Sequence, residues 1–164
     1  MQAIAAVDEN WALGKDGRLL VHLPGDLKYY KQRTLGRHIV IGRKTLDSFP
    51  GGRPLPGRDN IVLTGRADFA REGCRVCHSL EELEAMTQAL ASEDVIVSGG
   101  ASVYRQLMQQ IDVFYITHIL RRFPGADAHL ENLAGMKDMQ MTWRSELQEE
   151  NGTRYYFARY ERYK

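Results

Sequence analysis

The chain has 164 residues, with 22 Lys and Arg against 21 Asp and Glu and a formal net charge of +1. That length suits one domain spanning residues 1–164 and burying roughly two thirds of its unfolded surface, and the near-neutral balance gives no electrostatic footprint for nucleic acid or an anionic membrane. No apolar run approaches a membrane span, and Asp8 and Glu9 interrupt any leader-like start, so a soluble, cytoplasmic monomer is expected.

"QAIAAV" opens the chain as a buried strand, and "DENWALGKDGRLL", rich in Asp, Asn and Gly, reads as a long loop of the kind that often serves as a lid. "HLPGDLKYYKQRTL" reads as a helix near 25 to 35, with Leu27, Tyr30, Thr34 and Leu35 recurring on one face and Asp26 bordering it as the i, i+4 partner of Tyr30. Asp26 has two competing readings: an N-terminal helix cap after the Pro-Gly break, or an acid set against an apolar surface for its chemistry.

"HIVIG" and "NIVLT" are short β-branched runs separated by the turn-rich "GGRPLPGRD". "CRVC" alternates as a strand would, which sends the Cys74 and Cys77 sulfurs to opposite faces; with no second Cys pair and no H-E-x-x-H spacing, no metal centre is expected. "SLEELEAMTQAL" pairs Ser79 with Glu82 as a capping box and places Leu80, Leu83, Thr87 and Leu90 at helical spacing. "DVIVSGG" is another buried strand. "ASVYRQLMQQI" follows as a helix with Val103, Tyr104, Leu107, Met108 and Ile111 inward, and "VFYITHIL" as a strand. At the end, "MQMTWRSEL" alternates with period two, "EENG" supplies a turn, and "TRYYFARYERY" continues as a strand, so an antiparallel hairpin closes the chain. The predicted fold is α/β: a mainly parallel sheet flanked by helices, with an antiparallel edge.

Three strands end in similar chemistry. "IVI" runs into Gly42, Arg43, Lys44 and Thr45; "IVL" runs into Thr64 and Arg66; "VIV" runs into Ser98, Gly99 and Gly100. In an open α/β sheet the carboxyl ends of the strands form one rim, and ligands bind in the crevice there. The glycines allow close backbone approach to a pyrophosphate at the next helix, and the arginines suit a further phosphate. "SGGASVY" is not the G-x-G-x-x-G fingerprint and no ribose-binding acid follows it, so an NADP-type dinucleotide is the reading. Arg58, held after a Pro-Gly turn, suits bidentate binding of a ligand carboxylate.

Taken together, "AIAAVDENWALGKDG", "LPGDLKYYKQRT", "VIGRKT", "RPLPGR", "VSGGASVY" and "FYITHI", in this order over nearly the whole chain, resemble the dihydrofolate reductase family. The resemblance implies an eight-stranded sheet with four helices, and NADPH-dependent reduction of dihydrofolate to tetrahydrofolate for one-carbon metabolism. It implies that Asp26 is the pocket acid that grips the 2-amino group and neighbouring ring nitrogen of the pterin. The pterin would lie between Leu27, Tyr30, Phe49 and the Ala5–Ala6 strand, with Thr117 linked to the acid and Arg58 on the substrate's α-carboxylate. On the cofactor side it implies Arg43, Lys44, Thr45 and Thr64 around the adenosine phosphates, with Gly42, Leu63 and Arg66 beside them. Ser98, Gly99 and Gly100, joined by a cis Gly-Gly peptide, would cradle the pyrophosphate with Ala101, Ser102, Val103 and Tyr104 as the next turn. Ala6, Leu13, Gly14 and Leu19 would surround the nicotinamide, and residues 9 to 23 would form the lid.

The chain departs from the family pattern at several points. Leu20, Val21 and His22 stand where Pro-Trp usually precedes Leu-Pro, which implies a roomier pterin pocket. Leu46 replaces a common Trp, Gly65 separates Thr64 from Arg66, and Ser102 stands where some members place Arg. "GADAH" replaces Gly-Asp-Thr, leaving Asp127 as the acid that contacts the lid. Two other readings stay open at this level: a pterin or dinucleotide binding protein with impaired turnover, and a same-fold reductase of riboflavin biosynthesis.

Overall fold

Runs of Val and Ile that are apolar at every position belong to strands buried on both faces, and here they build the middle of one sheet. The structure, a computed structural model, describes residues 1–15 and 18–163. In chain order the strands are β1 (Gln2–Val7), β2 (Ala12–Lys15), β3 (Arg18–Leu19), β4 (His38–Gly42), β5 (Asp59–Leu63), β6 (Cys74–Cys77), β7 (Val95–Val97), β8 (Val113–Ile119), β9 (Ala128–His129), β10 (Met139–Arg144), β11 (Gln148–Glu150) and β12 (Thr153–Arg162). The helices are α1 (Pro24–Thr34), α2 (Arg43–Ser48), α3 (Leu80–Thr87) and α4 (Ala101–Leu107). Among the described residues, no helix is long and apolar enough to cross a membrane.

The large sheet runs β10-β12-β8-β1-β7-β4-β5-β6, with the short β11 added to β12. Pairing is parallel from β8 to β6 and antiparallel where β12 meets β8, β10 and β11. Alternation divides the core between the two faces. Ala3, Val40, Ile61, Val97 and Phe114 share one cluster with Leu83 of α3 and Val103 and Leu107 of α4. On the other face Ile39, Ile41 and Val62 pack with Leu46 of α2, and Ile4, Ile96 and Tyr115 pack with Tyr30 of α1.

Several local expectations hold. Ser79 Oγ accepts from Glu82 N–H at 3.1 Å and so caps α3, while the Glu82 carboxylate takes the His78 amide at 2.7 Å. Cys77 is buried in one cluster and Cys74 packs against the other, so the two sulfurs do lie on opposite faces. Asn151 and Gly152 both have positive φ, +50° and +78°, the geometry of a tight two-residue hairpin.

Three expectations are corrected. The stretch after β1 is more ordered than a loop: β2 pairs with both β3 and β9 in a small antiparallel sheet, invisible in sequence because each strand is short and β9 lies far along the chain. Asp16 and Gly17, part of the lid expected over residues 9 to 23, lie outside the described residues. The expected α1 stripe is not uniformly buried: Thr34 is fully buried, but Leu27 and Leu35 are 40 % and 51 % exposed, because the helix meets the sheet through Tyr30 and Thr34. Finally, β10 shows no alternation in burial beyond Met139. It is an edge strand, and two separate strands, β10 and β11, flank β12 where one partner was expected.

Candidate active site

The three strand ends read as one rim are neighbours, because β4 lies between β7 and β5 in the sheet. Gly42 stands in register with Leu63, Ser98 N–H donates to Val40 O, and Gly42 N–H donates to Gly99 O, both at 2.9 Å. The Gly99–Gly100 peptide is cis, and Gly99 has a φ of +110°, which only glycine adopts readily. A Cβ on Gly42 would press on Val103 at 3.2 Å, and one on Gly100 would meet the Thr45 hydroxyl at 3.4 Å. The missing side chains therefore keep this backbone open. Gly100 precedes α4 with no side-chain cap, so the amides of the next turn, at Ala101 and Ser102, are not taken by one. Val103 and Tyr104 are buried, and the Tyr104 hydroxyl donates to Ile4 O, which ties the helix to β1.

Farther along the rim, Arg43 reaches Asp47 at 3.2 Å, and Asp47 also takes Arg71 at 3.0 Å; Lys44 and Arg66 are exposed. The Thr64 hydroxyl accepts from Arg66 N–H at 3.2 Å. His78, at the end of β6, places Nδ1 3.0 Å from Thr64 O. It is a rim residue that no motif in the sequence indicated. In the stretch after β1, Gly14 pairs with Ala128 and its carbonyl accepts from the Asp127 N–H at 3.1 Å, so the Asp127 backbone meets the segment expected to be the lid. Leu13 packs toward the core, and Leu19 is 66 % exposed.

Apart from the rim stands Asp26, in the first turn of α1. Asp26 is not the cap of α1: its Oδ1 accepts a 2.6 Å hydrogen bond from the Thr117 hydroxyl on β8, the N-cap residue Leu23 offers no side-chain bond, and the Gly25 amide of the first turn is taken by Glu150. Thr117 is buried and stands in register with Ala6 of β1, which brings the Ala5–Ala6 backbone beside the acid. Burial pushes the Asp26 carboxyl above the usual carboxylate range; the Thr117 hydrogen bond pulls it down, and the nearby Glu150 charge pushes it further up.

The flanking groups are held as firmly. Tyr30 packs on Ile4, Ile96 and Tyr115, while Phe49 packs on the cluster of Ile39, Ile41, Leu46 and Val62. Arg58 donates through Nε and Nη2 to Pro56 O at 3.0 and 2.7 Å, and through Nη1 to the Thr34 hydroxyl at 3.2 Å. Its guanidinium is thus set beside the C-terminal end of α1. Val21 packs with Ala6, Leu23, Phe123, Tyr155 and Phe157.

An acid hydrogen-bonded to a sheet threonine, an oriented arginine and a glycine-lined rim stand where the motifs lie, and the family model described as dihydrofolate reductase matches residues 1–162. The chain belongs to the dihydrofolate reductase family. It is 43 % identical over 126 residues to dihydrofolate reductase of Bacillus subtilis (strain 168), covering 77 % of this chain and 72 % of the relative. It is 34 % identical over 166 residues to the dihydrofolate reductase of Neisseria meningitidis serogroup B, covering 98 % and 96 %. Among solved structures, dihydrofolate reductase from Enterococcus faecalis complexed with NADP(H) and RAB-propyl matches with a TM-score of 0.85 and 33 % identity, over 98 % of this chain and 95 % of that one. Glu150 and Tyr155 are electrostatically coupled to Asp26 as well. Sequence reasoning passed over them because nothing local distinguishes an acid before a hairpin turn.

Proposed function

We propose that the chain reduces 7,8-dihydrofolate to 5,6,7,8-tetrahydrofolate with NADPH, and that the cleft between Asp26 and the glycine rim is where it does so. The observation that carries the residue assignment is the Thr117–Asp26 hydrogen bond, which fixes one carboxylate oxygen, while the other accepts no hydrogen bond among the described residues. Asp26 would hold the 2-amino group and ring nitrogen of the pterin, with Ala5, Ala6, Leu27, Tyr30 and Phe49 around it and Arg58 on the α-carboxylate. The rim fits the cofactor: Gly42, Ser98, Gly99, Gly100, Ala101 and Ser102 offer open backbone for the pyrophosphate, and Arg43, Lys44, Thr45, Thr64 and Arg66 offer donors for the adenosine phosphates. Ala6, Leu13, Gly14 and Leu19 would border the nicotinamide, with Leu63, Val103 and Tyr104 supporting the rim.

When bound, NADPH supplies the hydride that carbon 6 of the pterin receives. The protein's part is positional and electrostatic. Asp26 faces the edge of the ring opposite nitrogen 5, so it favours the protonated pterin through its charge while water delivers the proton. Thr117 holds the carboxylate at the required angle, and Arg58, already oriented, loses little freedom on binding.

A monomeric, cytoplasmic enzyme is part of the same proposal. Mixing the protein with NADPH and dihydrofolate and following nicotinamide absorbance tests the function. Oxidation of NADPH by dihydrofolate is the expected result; binding without oxidation, or oxidation only with a ribosylaminopyrimidine, would overturn it.

A further inference from the structure

The C-terminal hairpin brings a second carboxylate to the head of α1. Glu150, the last residue of β11, accepts two hydrogen bonds on Oε1, from the Gly25 backbone N–H at 2.8 Å and from the Tyr155 hydroxyl. Gly25 is the residue directly before Asp26, and it lies 125 positions from Glu150 in the chain. Tyr155 is itself buried with Leu23 and Ile119, so the acid is anchored from both sides. The contact depends on the absence of a side chain at position 25. A Cβ there would stand 2.6 Å from Glu150 Oε1 and closer still to the Tyr155 hydroxyl. Gly25 has no positive φ, so its role is close approach and not backbone freedom.

An acid in this position has an electrostatic consequence. Helix N-terminal amides favour the charged form of a nearby carboxylate, and Glu150 occupies one of them with its own negative charge. The titratable groups that bear on Asp26 are Glu150 from β11, Tyr155 from β12 and Tyr29 on α1; Thr117 from β8 contributes a neutral hydrogen bond. Glu150 is the one carboxylic acid among these groups. A negative charge held there works in the same direction as burial and favours the protonated form of Asp26.

We propose that Glu150 is a positioning residue for Asp26: pinned by the Gly25 amide and the Tyr155 hydroxyl, it holds a second negative charge at the head of α1, one residue from Asp26, and so sets the pH dependence of the step that Asp26 assists. The inference rests on Asp26 being the pterin-binding acid. Nothing is added to the chemistry of the step; the proton still comes from water and the hydride from NADPH. What Glu150 sets is the pH at which the alkaline loss of activity begins.

The test is the pH profile of hydride transfer in single turnovers for the wild type, Glu150→Gln, Gly25→Ala and Asp26→Asn, with the carboxyl carbon of Asp26 followed by NMR titration in the ligand-free protein. Glu150→Gln retains an oxygen for both donors and loses only the charge. Its alkaline limb moves to lower pH, so that hydride transfer on that limb falls about three- to tenfold while the acid plateau is unchanged, and the Asp26 resonance titrates at lower pH. Gly25→Ala displaces the Glu150–Tyr155 pair by contact and moves both readouts in the same direction. Should Glu150→Gln fail to fold, the Asp26 titration in Gly25→Ala decides. A profile and a titration that superimpose on the wild type, with Asp26→Asn still slow, overturn the role of Glu150 alone. A wild-type rate in Asp26→Asn overturns the reading of Asp26 and this proposal with it.

Discussion

Two acids close to β1 are set in quite different surroundings. Asp8, directly after the strand, is 2 % exposed, and its two oxygens accept three backbone N–H groups: Asn10 at 2.8 Å, Ala12 at 2.9 Å and Phe123 at 2.9 Å. Asp26, in the first turn of α1, receives one hydroxyl hydrogen bond among the described residues and feels the Glu150 charge. Asp8 is spent on the loops at residues 8–12 and 123, whereas Asp26 has capacity left for a ligand. Burial of an acid therefore does not mark chemistry; the set of partners does.

The contrast is broken most directly at Asp26. Asp26→Asn preserves size and should lower hydride transfer by about 10²–10⁴ at neutral pH if the charge assists protonation as general acid–base groups do. Part of the loss should return as pH falls and the substrate becomes protonated in solution. Single-turnover absorbance reads this rate without interference from product release.

Asp8→Asn should act on the other axis. Its amide group would turn a donor toward one of the three backbone donors, so unfolding free energy should drop by about 2–4 kcal/mol in denaturant titrations. An unchanged midpoint would show that the three hydrogen bonds add little.

Stability separates the two acids a second time. Burial raises the Asp26 pKa, so the native state holds the proton more tightly than the unfolded chain, and native stability declines as pH rises from the ordinary carboxylate range through the raised value. Asp26→Asn escapes that cost. It should be more stable than the wild type at neutral pH, with the advantage vanishing in acid, and thermal melts across pH read the difference. The smallest effect is expected at Arg58. Arg58→Lys loses the fork held by Pro56 and Thr34 and should weaken dihydrofolate by about 1–2 kcal/mol, with little change for a pterin lacking the glutamate tail. Titration of the two ligands side by side checks it.

What the sequence determined by itself is the set of features written in neighbouring residues. The β-branched runs at 39–41, 61–63 and 95–97, the Ser79 cap and the Asn151–Gly152 turn depend on local periodicity and local backbone preference. The family motifs also marked Asp26, Arg58 and the glycine pair as site residues. Tertiary structure decided what those residues touch. Only the order β7-β4-β5 makes three strand ends one rim, and only the register of β8 against β1 carries Thr117 to an acid 91 positions away. The strands β2 and β3 escaped a reading by pattern because two to four residues cannot show a period; β2 is ordered by pairing with β9, and β3 by pairing with β2. Leu27 and Leu35 matched a helical stripe yet stand exposed, since spacing sets which residues share a face but not how far the sheet extends beneath it. Glu150 carries no local mark at all; its place beside Asp26 follows from the hairpin folding back across the sheet onto a glycine that leaves it room.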